Sequence, residues 1–539
     1  MRLKPPFRST LSPLPVTVAL LSLLLATGPP SLVAAHGKTS DPPPDLSRFY
    51  AQGIDWVECR SPDMPDDMRC GTVTVPLDYA RPGAGSLKLA LARQRATGPS
   101  RGSLLLNFGG PGGSGVSALA VSSDAFMHLT KGYDVVSFDP RGVGRSSPVS
   151  CGPASARILE ATAGDAELDD PEDTMRRLRS ATAECERHSG PVLPHVGTVN
   201  AARDLDVIRA ALGHDKLDYL GFSYGTRLGA VYAKRFPDRV GRMVLDGVDT
   251  LTESLAEQGL TGARGQQRAL EHFLTWCVRE VGCAFGRDAR EARRQVVRLV
   301  EALDEDPLTT TFGGRFTGQD LVGALGQALY GRELWPLLSR ALAHLIERGD
   351  PSALEGFVPG GVALPGRVDP GNDGELTEPE EIPRDNLPAA LMAINCADDP
   401  DRPSAERVAR SLDGLRDRYR KASPVFGPYR LAQVLMCHGR PRGTDYIREE
   451  VKDLDTPPML LVGTRGDPAT PYRWTVQTAR RLGPSAVVLD NRGEGHTGYF
   501  SSECVHRKVD DFLLYGSLPP DGSSCGTPEA AEDGSGDGA

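Results

Sequence analysis

From Trp56 to about residue 249, short apolar runs alternate with stretches of helical periodicity. Gly71-Thr-Val-Thr-Val-Pro76 places apolar residues at every second position, and Leu87 to Arg93 does the same, which predicts two paired strands. Ser103-Leu-Leu-Leu-Asn-Phe108, Tyr133-Asp-Val-Val-Ser-Phe138, Lys216–Leu220 and Arg242–Asp246 are continuous apolar runs of the kind buried on both faces. Helical patterns lie between them, at Ala201–Leu212 and Arg227–Phe236. This alternation predicts an α/β chain with a mostly parallel central sheet and helices on both faces.

The rhythm stops near Asp249. Residues 250–390 carry helical patterns at Gln266–Glu280, Asp288–Leu303 and Leu321–Leu345, then a stretch rich in Gly, Pro and acids from Gly356 to Pro388. They are expected to form a helical lid inserted into the sheet domain. Alternation returns in residues 391–520, with Pro458-Met-Leu-Leu-Val-Gly463, a helix near Tyr472–Leu482, Ala486-Val-Val-Leu489 and a last helix around Cys504–Tyr515. The first part of the core is assigned to residues 55–249. The acidic end, residues 521–539, is expected to be disordered.

The N terminus is of another kind. Arg2, Lys4 and Arg8 precede the apolar stretch Val16–Ala26, and small residues follow up to Val33-Ala34-Ala35. That is the layout of a secretory signal peptide, residues 1–35, followed by a flexible leader over 36–54. The apolar run is shorter than the ~20 residues a membrane span needs, so no membrane attachment is expected after cleavage. Export changes the reading of ten cysteines. They read as disulfides, with nearest neighbours in sequence as one plausible pairing: Cys59–Cys70, Cys151–Cys185, Cys277–Cys283, Cys396–Cys437 and Cys504–Cys525. A catalytic cysteine and a zinc site are disfavoured, the latter because C-x-x-C spacing is absent. The formal charge is −10 for the chain, which disfavours nucleic acid as a partner.

The candidate chemistry is concentrated at the ends of the apolar runs. Gly221-Phe-Ser223-Tyr-Gly225 joins a predicted strand to a predicted helix, the pattern of a nucleophile elbow with Ser223 at its apex. In such sheets an acid and then a histidine follow the serine in chain order. Asp467 ends the strand after the lid, and His496 lies in the loop after the next one, within Gly493-Glu-Gly-His496. His506 is a second candidate base inside a helical pattern. Thr470 either orients Asp467 or caps the helix that begins at Pro471. Backbone N–H groups of Tyr224 and of Gly110, in Gly109-Gly-Pro-Gly-Gly113, are candidate oxyanion donors. A rival reading rests on the same loop: Gly110-x-Gly112-x-x-Gly115, with Asp139 ending the next strand, is a literal dinucleotide fingerprint. Pro111 and export argue against it.

Asn107-Phe-Gly-Gly-Pro-Gly-Gly-Ser-Gly115, Asp139-Pro-Arg-Gly-Val-Gly-Arg-Ser146, Ala202-Arg-Asp-Leu-Asp206, Gly221-Phe-Ser-Tyr-Gly-Thr226, Val244-Leu-Asp-Gly-Val248, Asn395-Cys-Ala-Asp398, Gly466-Asp-Pro-Ala-Thr-Pro471 and Gly493-Glu-Gly-His496 together resemble the tripeptidyl aminopeptidase-like family. These are secreted bacterial serine hydrolases related to prolyl aminopeptidase. The resemblance covers roughly residues 55–520. It implies an α/β-hydrolase fold with a lid, Ser223 as nucleophile with Asp467 and His496, no cofactor or metal, and cleavage of short peptides from free N termini. A secreted monomer acting on peptides is expected, and a carboxylesterase or lipase using the same triad is the alternative. An aminopeptidase also needs a carboxylate to hold the substrate amine. Asp398, Asp399 and the acids of Glu375–Glu381 are the candidates.

Overall fold

In the computed structural model the apolar runs become one ten-stranded sheet. The structure describes residues 44–59, 64–155, 158, 168–311, 313–357, 376–440 and 451–526. In chain order the strands are β1 (Val57–Glu58), β2 (Arg69–Pro76), β3 (Ser86–Gln94), β4 (Ser103–Asn107), β5 (Asp134–Phe138), β6 (Leu217–Phe222), β7 (Val240–Asp246), β8 (Leu308–Thr309), β9 (Arg315–Phe316), β10 (Met459–Gly466), β11 (Ala486–Glu494) and β12 (Ser523–Cys525). The large sheet has the order β1-β2-β3-β5-β4-β6-β7-β10-β11-β12, and β8–β9 is a separate hairpin. Antiparallel pairing is confined to the β1-β2-β3-β5 side, including the expected β2–β3 pair, and the run from β5 through β4 to β12 is parallel.

Because side chains alternate across a strand, each buried strand feeds two cores. Leu105, Val136, Tyr219, Leu245 and Leu461 face one core, against helices α2 (Pro171–Ser189), α3 (Thr198–Ala211) and α4 (Tyr224–Arg235). Leu104, Leu106, Val135, Leu220, Val244 and Leu460 face the other, against α1 (Gly115–Ser122) and α12 (Glu503–Tyr515). Each fully buried Leu contributes roughly 1.5–3 kcal/mol, and the inter-strand hydrogen bonds satisfy the buried backbone.

The lid has its own core. Helices α5 (Leu255–Cys277), α6 (Ala289–Glu305), α7 (Gly318–Ala328) and α8 (Trp335–Arg348) enclose Phe273, Val296, Leu325 and Leu338. The single helix expected over Leu321–Leu345 is two, because Pro336 at the start of α8 opens a new helix after the Gly331 turn. Past residue 390 the chain stays helical before the sheet resumes, and these helices pack largely on the sheet's own core. Helices α9 (Asn386–Asp398), α10 (Ala405–Ala422) and α11 (Gly427–Leu431) precede any return to the sheet, which comes only at Met459. Val408, Leu412 and Tyr419 give α10 its buried stripe.

Two further expectations change. The leader expected over 36–54 is ordered from residue 44: Ser47–Tyr50 form a helical turn, and Phe49 is buried in the core. The acidic end is ordered through Gly526, because β12 pairs with β11 and Cys525 is bonded to Cys504. All five nearest-neighbour disulfides form, and no free cysteine remains. The predicted signal peptide, residues 36–43, most of the Gly/Pro/acid-rich stretch and residues 527–539 lie outside the described residues. Among the described residues, no helix is long and apolar enough to cross a membrane.

The buried motifs not absorbed by a site are structural. Arg141 and Asp204 form a fully buried pair, with Nε and Nη2 each 2.6 Å from a carboxylate oxygen, and Tyr79 donates to the same carboxylate at 2.8 Å. Arg141 also donates to the carbonyls of Pro76, Leu77 and His195, which joins β2 to the loop after β5.

Candidate active site

The ends of β4, β6, β7, β10 and β11 meet at one edge of the sheet, and the candidate residues lie there. Ser223 links β6 to α4 with φ 55° and ψ −123°, a strained conformation for a residue with a side chain. It is fixed from both sides: its N–H donates to Asp246 O at 2.9 Å, and its carbonyl accepts from Thr226 N at 2.9 Å and Thr226 Oγ1 at 2.6 Å. The flanking glycines are there for space. A Cβ on Gly221 would lie 2.5 Å from Gly225 O, and one on Gly225 would lie 2.6 Å from Asn107 O. Tyr224 is the first residue of α4, so its N–H has no partner within the helix.

The loop after β4 presses on this elbow. Gly109 has φ 86°, and a Cβ there would lie 2.5 Å from Phe222 O, 3.0 Å from Ser223 Cβ and 3.1 Å from Tyr224 N. Its own N–H is used by Asn107 Oδ1 at 3.1 Å. The next amide along the loop is that of Gly110.

The same loop does not suit a dinucleotide. The N terminus of α1, where a pyrophosphate would sit, is already occupied by Asp139: Oδ1 accepts from Ser114 Oγ at 2.7 Å and Val116 N at 3.1 Å, and Oδ2 from Arg145 N at 2.9 Å.

Asp467 and His496 are brought together. Nδ1 of His496 is 3.0 Å from each carboxylate oxygen. Asp467 also accepts from Ala469 N and Thr470 N, both at 2.8 Å, and from Thr470 Oγ1 at 2.9 Å. Thr470 therefore orients the acid, and its hydroxyl lies 3.4 Å from His496 Nδ1; no side chain caps the helix after Pro471. With Nδ1 engaged by the carboxylate, Nε2 is the nitrogen left for proton transfer. Burial works against the imidazolium, but Asp467, followed by Asp246 and Asp249, outweighs it and holds the His496 pKa above its ordinary value.

Asp246, at the end of β7, joins the two halves of the site. It is fully buried and accepts from Gly498 N at 2.8 Å and Tyr499 N at 2.7 Å, just after His496, while its carbonyl holds Ser223 N. Burial raises its pKa to about 6 in spite of these two donors. The neighbouring Gly247 lies against the imidazole, with its Cβ direction 3.4 Å from His496 Cε1. Thr497, between histidine and these donors, is held at φ 68°. Ser223 and His496 thus flank one peptide unit, Asp246–Gly247. No hydrogen bond joins Ser223 Oγ to the ring among the described residues.

The lid reaches the histidine directly, a feature with no signal in the sequence. His496 N donates to Tyr330 O at 2.7 Å, and the Tyr330 ring meets the imidazole edge to face at 4.9 Å. His272 on α5 lies 2.8 Å from Glu494, two residues before His496. Gly265 on the same helix packs against Pro471. Asp246 was also missed, although the Leu-Asp-Gly-Val motif around it was visible. Several other candidates are engaged elsewhere, and Glu375 lies outside the described residues. His506 stacks on Tyr499 at 4.0 Å and faces Asp510, so it is not placed as the base. Asp398 is bound to Thr198 and Arg227, and Asp399 accepts from Leu255 N and Asp401 N. Glu378 faces Arg145. A groove of about 590 Å³ lies at the opposite ends of the strands beside Ser103, Lys216 and Arg242, away from this chemistry.

Comparison with known proteins supports the fold and a serine hydrolase. A family described as "TAP-like protein" matches residues 423–525, and one described as "alpha/beta hydrolase fold" matches residues 102–312. A Mycobacterium tuberculosis protein named serine protease Hip1 is 34% identical over 88% of this chain and 91% of its own length. A Streptomyces coelicolor protein named tripeptidyl aminopeptidase is 32% identical over 89% of this chain and 87% of its own. A Mycobacterium tuberculosis protein named carboxylesterase B is 31% identical over 95% and 98% respectively.

Proposed function

Because the chain belongs to the TAP-like serine hydrolases of the α/β-hydrolase fold, we propose that it is a secreted exopeptidase releasing tripeptides from free peptide N termini. The observation that carries this reading is the Asp467–His496 pair, poised across one peptide unit from Ser223 at the strained elbow. In the proposed reaction Ser223 Oγ attacks the scissile carbonyl as His496 Nε2 takes its proton. The N–H groups of Tyr224 and Gly110 receive the developing oxyanion. His496 then protonates the leaving amine, and water, activated by the same imidazole, releases the acyl group from Ser223. Asp467 keeps the ring in one tautomer and stabilises its cation.

Tripeptide release and peptide substrates are supported by the relative named tripeptidyl aminopeptidase. Export is supported by the signal-like N terminus and by pairing of all ten cysteines, a state that persists in oxidising compartments. An esterase on the same residues is the second reading, favoured by the relative named carboxylesterase B. Matched chromogenic substrates separate the two: one-, two- and three-residue peptides with free amines, the same peptides N-acetylated, and a short-chain ester. Fastest turnover of the free-amine tripeptide, abolished by acetylation, is the expected result. Ester turnover indifferent to the amine would replace the peptidase reading with the esterase one.

A further inference from the structure

The oxyanion donor Tyr224 has a side chain that is itself tied to the lid return. The ring is buried at 3% exposure, and its hydroxyl lies 2.6 Å from Thr198 Oγ1 on α3. Thr198 is in turn bound twice by Asp398 on α9: Oγ1 donates to Oδ2 at 2.5 Å, and the backbone N donates to Oδ1 at 2.9 Å. An ionised carboxylate only accepts. Thr198 must therefore give its hydroxyl proton to Asp398, and its oxygen must receive the proton of Tyr224. The chain of bonds has one direction.

The same carboxylate reaches the nucleophile helix at a second point. Arg227, one turn after Tyr224, places Nη1 3.3 Å from Asp398 Oδ2 and Nη2 2.8 Å from Asp249 Oδ2. Asn395 Oδ1, on α9, accepts from Arg227 as well, and α9 is anchored by Cys396–Cys437. The first turn of α4 is thus clamped to α9 through Tyr224 and through Arg227.

We propose that Asp398 is a positioning residue for the oxyanion hole, acting through Thr198 on Tyr224. Packing alone does not call for this arrangement. A phenylalanine would fill the same volume, and a buried charged cluster is a weak source of stability compared with apolar residues of similar size. Its distinctive property is direction. Oxyanion donors act only when held within a few tenths of an ångström of the developing charge, and such tolerance needs supporting hydrogen bonds behind them. The Asn395-Cys-Ala-Asp398 motif, distant in sequence from Ser223, acquires a role in the same site.

The inference rests on the proposed reaction only through the oxyanion role of Tyr224, and holds for a peptide or an ester. The test is Thr198→Val, which keeps the shape and the Arg227–Asp398 pair but removes the hydroxyl. Turnover is measured per active site, titrated with a fluorophosphonate, on whichever substrate the wild-type protein cleaves best. The expected result is a fall in kcat of about 10-fold, below the 10²–10³ of losing a donor outright, with KM within about twofold. A trifluoromethyl ketone, whose adduct carries an oxyanion, weakens by the same factor. Thr198→Ser restores kcat to within about twofold, and Asp398→Asn, which turns one acceptor into a donor facing Thr198, reproduces the loss. A purely structural role would lower the melting temperature and the titrated fraction while leaving kcat per site unchanged. Thr198→Val with kcat per site and ketone affinity both within twofold of wild type overturns the proposal.

Discussion

Gly109→Ala is a sharp perturbation of the site, because its effect can be worked from the backbone alone. The new Cβ would lie 2.5 Å from the carbonyl oxygen of Phe222, which sits in a strand and cannot turn aside. Reaching ordinary contact at 3.4 Å requires the loop to retreat by about 0.9 Å. The backbone angle φ 86° adds about 1–2 kcal/mol of strain for a residue with a side chain. The retreat carries Gly110 N–H away from the position where it would meet the oxyanion. A displacement of about 1 Å costs on the order of 10²-fold in rate, and removal of one oxyanion donor costs about 10²–10³-fold. The expected outcome is a kcat reduced by at least ~10²-fold per titrated site, with the protein still folded. Gly113→Ala is the control in the same loop: its φ is not in the left-handed region, and a Cβ there meets only Gly109 O, at 3.3 Å. That variant is expected to keep kcat within about threefold. Active-site titration followed by steady-state kinetics on both proteins decides the matter. If Gly109→Ala keeps kcat within threefold of wild type, the loop does not supply the donor and the reasoning fails.

Three further outcomes follow from the site and the fold. The base works as neutral imidazole, and Asp467 with Asp246 and Asp249 raises its pKa, so kcat/KM should climb with pH through a midpoint above the ordinary histidine value of about 6.5. Asp467→Asn should shift that midpoint down and lower the plateau; an unmoved midpoint in the pH profile contradicts the assignment. Because Tyr330 holds His496 through its carbonyl and its ring, Tyr330→Ala keeps the carbonyl and loses the ring contact, with kcat expected to fall about 10-fold and melting temperature nearly unchanged. Removing the Cys396–Cys437 crosslink as the double serine variant opens a loop spanning 41 residues and should cost about 3–4 kcal/mol of stability, read as a lower midpoint in denaturant.

Much of the layout was legible because it rests on local rules. Strands buried on both faces announce themselves as apolar runs, and the glycines of Gly221-x-Ser-x-Gly225 are required by contacts of 2.5 and 2.6 Å with nearby backbone. Chain order then pointed to Asp467 and His496, which the fold brings to 3.0 Å. What stayed hidden depends on contacts between residues far apart in sequence. Tyr330 is 166 positions from His496 and reads as one more residue at a helix end. Asp398 was visible as a motif, yet its partners, Thr198 and Arg227, lie on two other helices, so an acid free for substrate and an acid spent on the fold looked alike. Helical pattern alone could not say which core α9 and α10 join; packing puts them with the sheet.

The most direct test of the account is the site of covalent labelling by a fluorophosphonate, located by peptide mass spectrometry alongside loss of turnover. The expected result is one adduct per chain, on Ser223, with activity lost in proportion to labelling, no adduct on Ser223→Ala, and slower labelling of His496→Ala. An adduct on another residue, or full labelling of Ser223 with turnover retained, would contradict it.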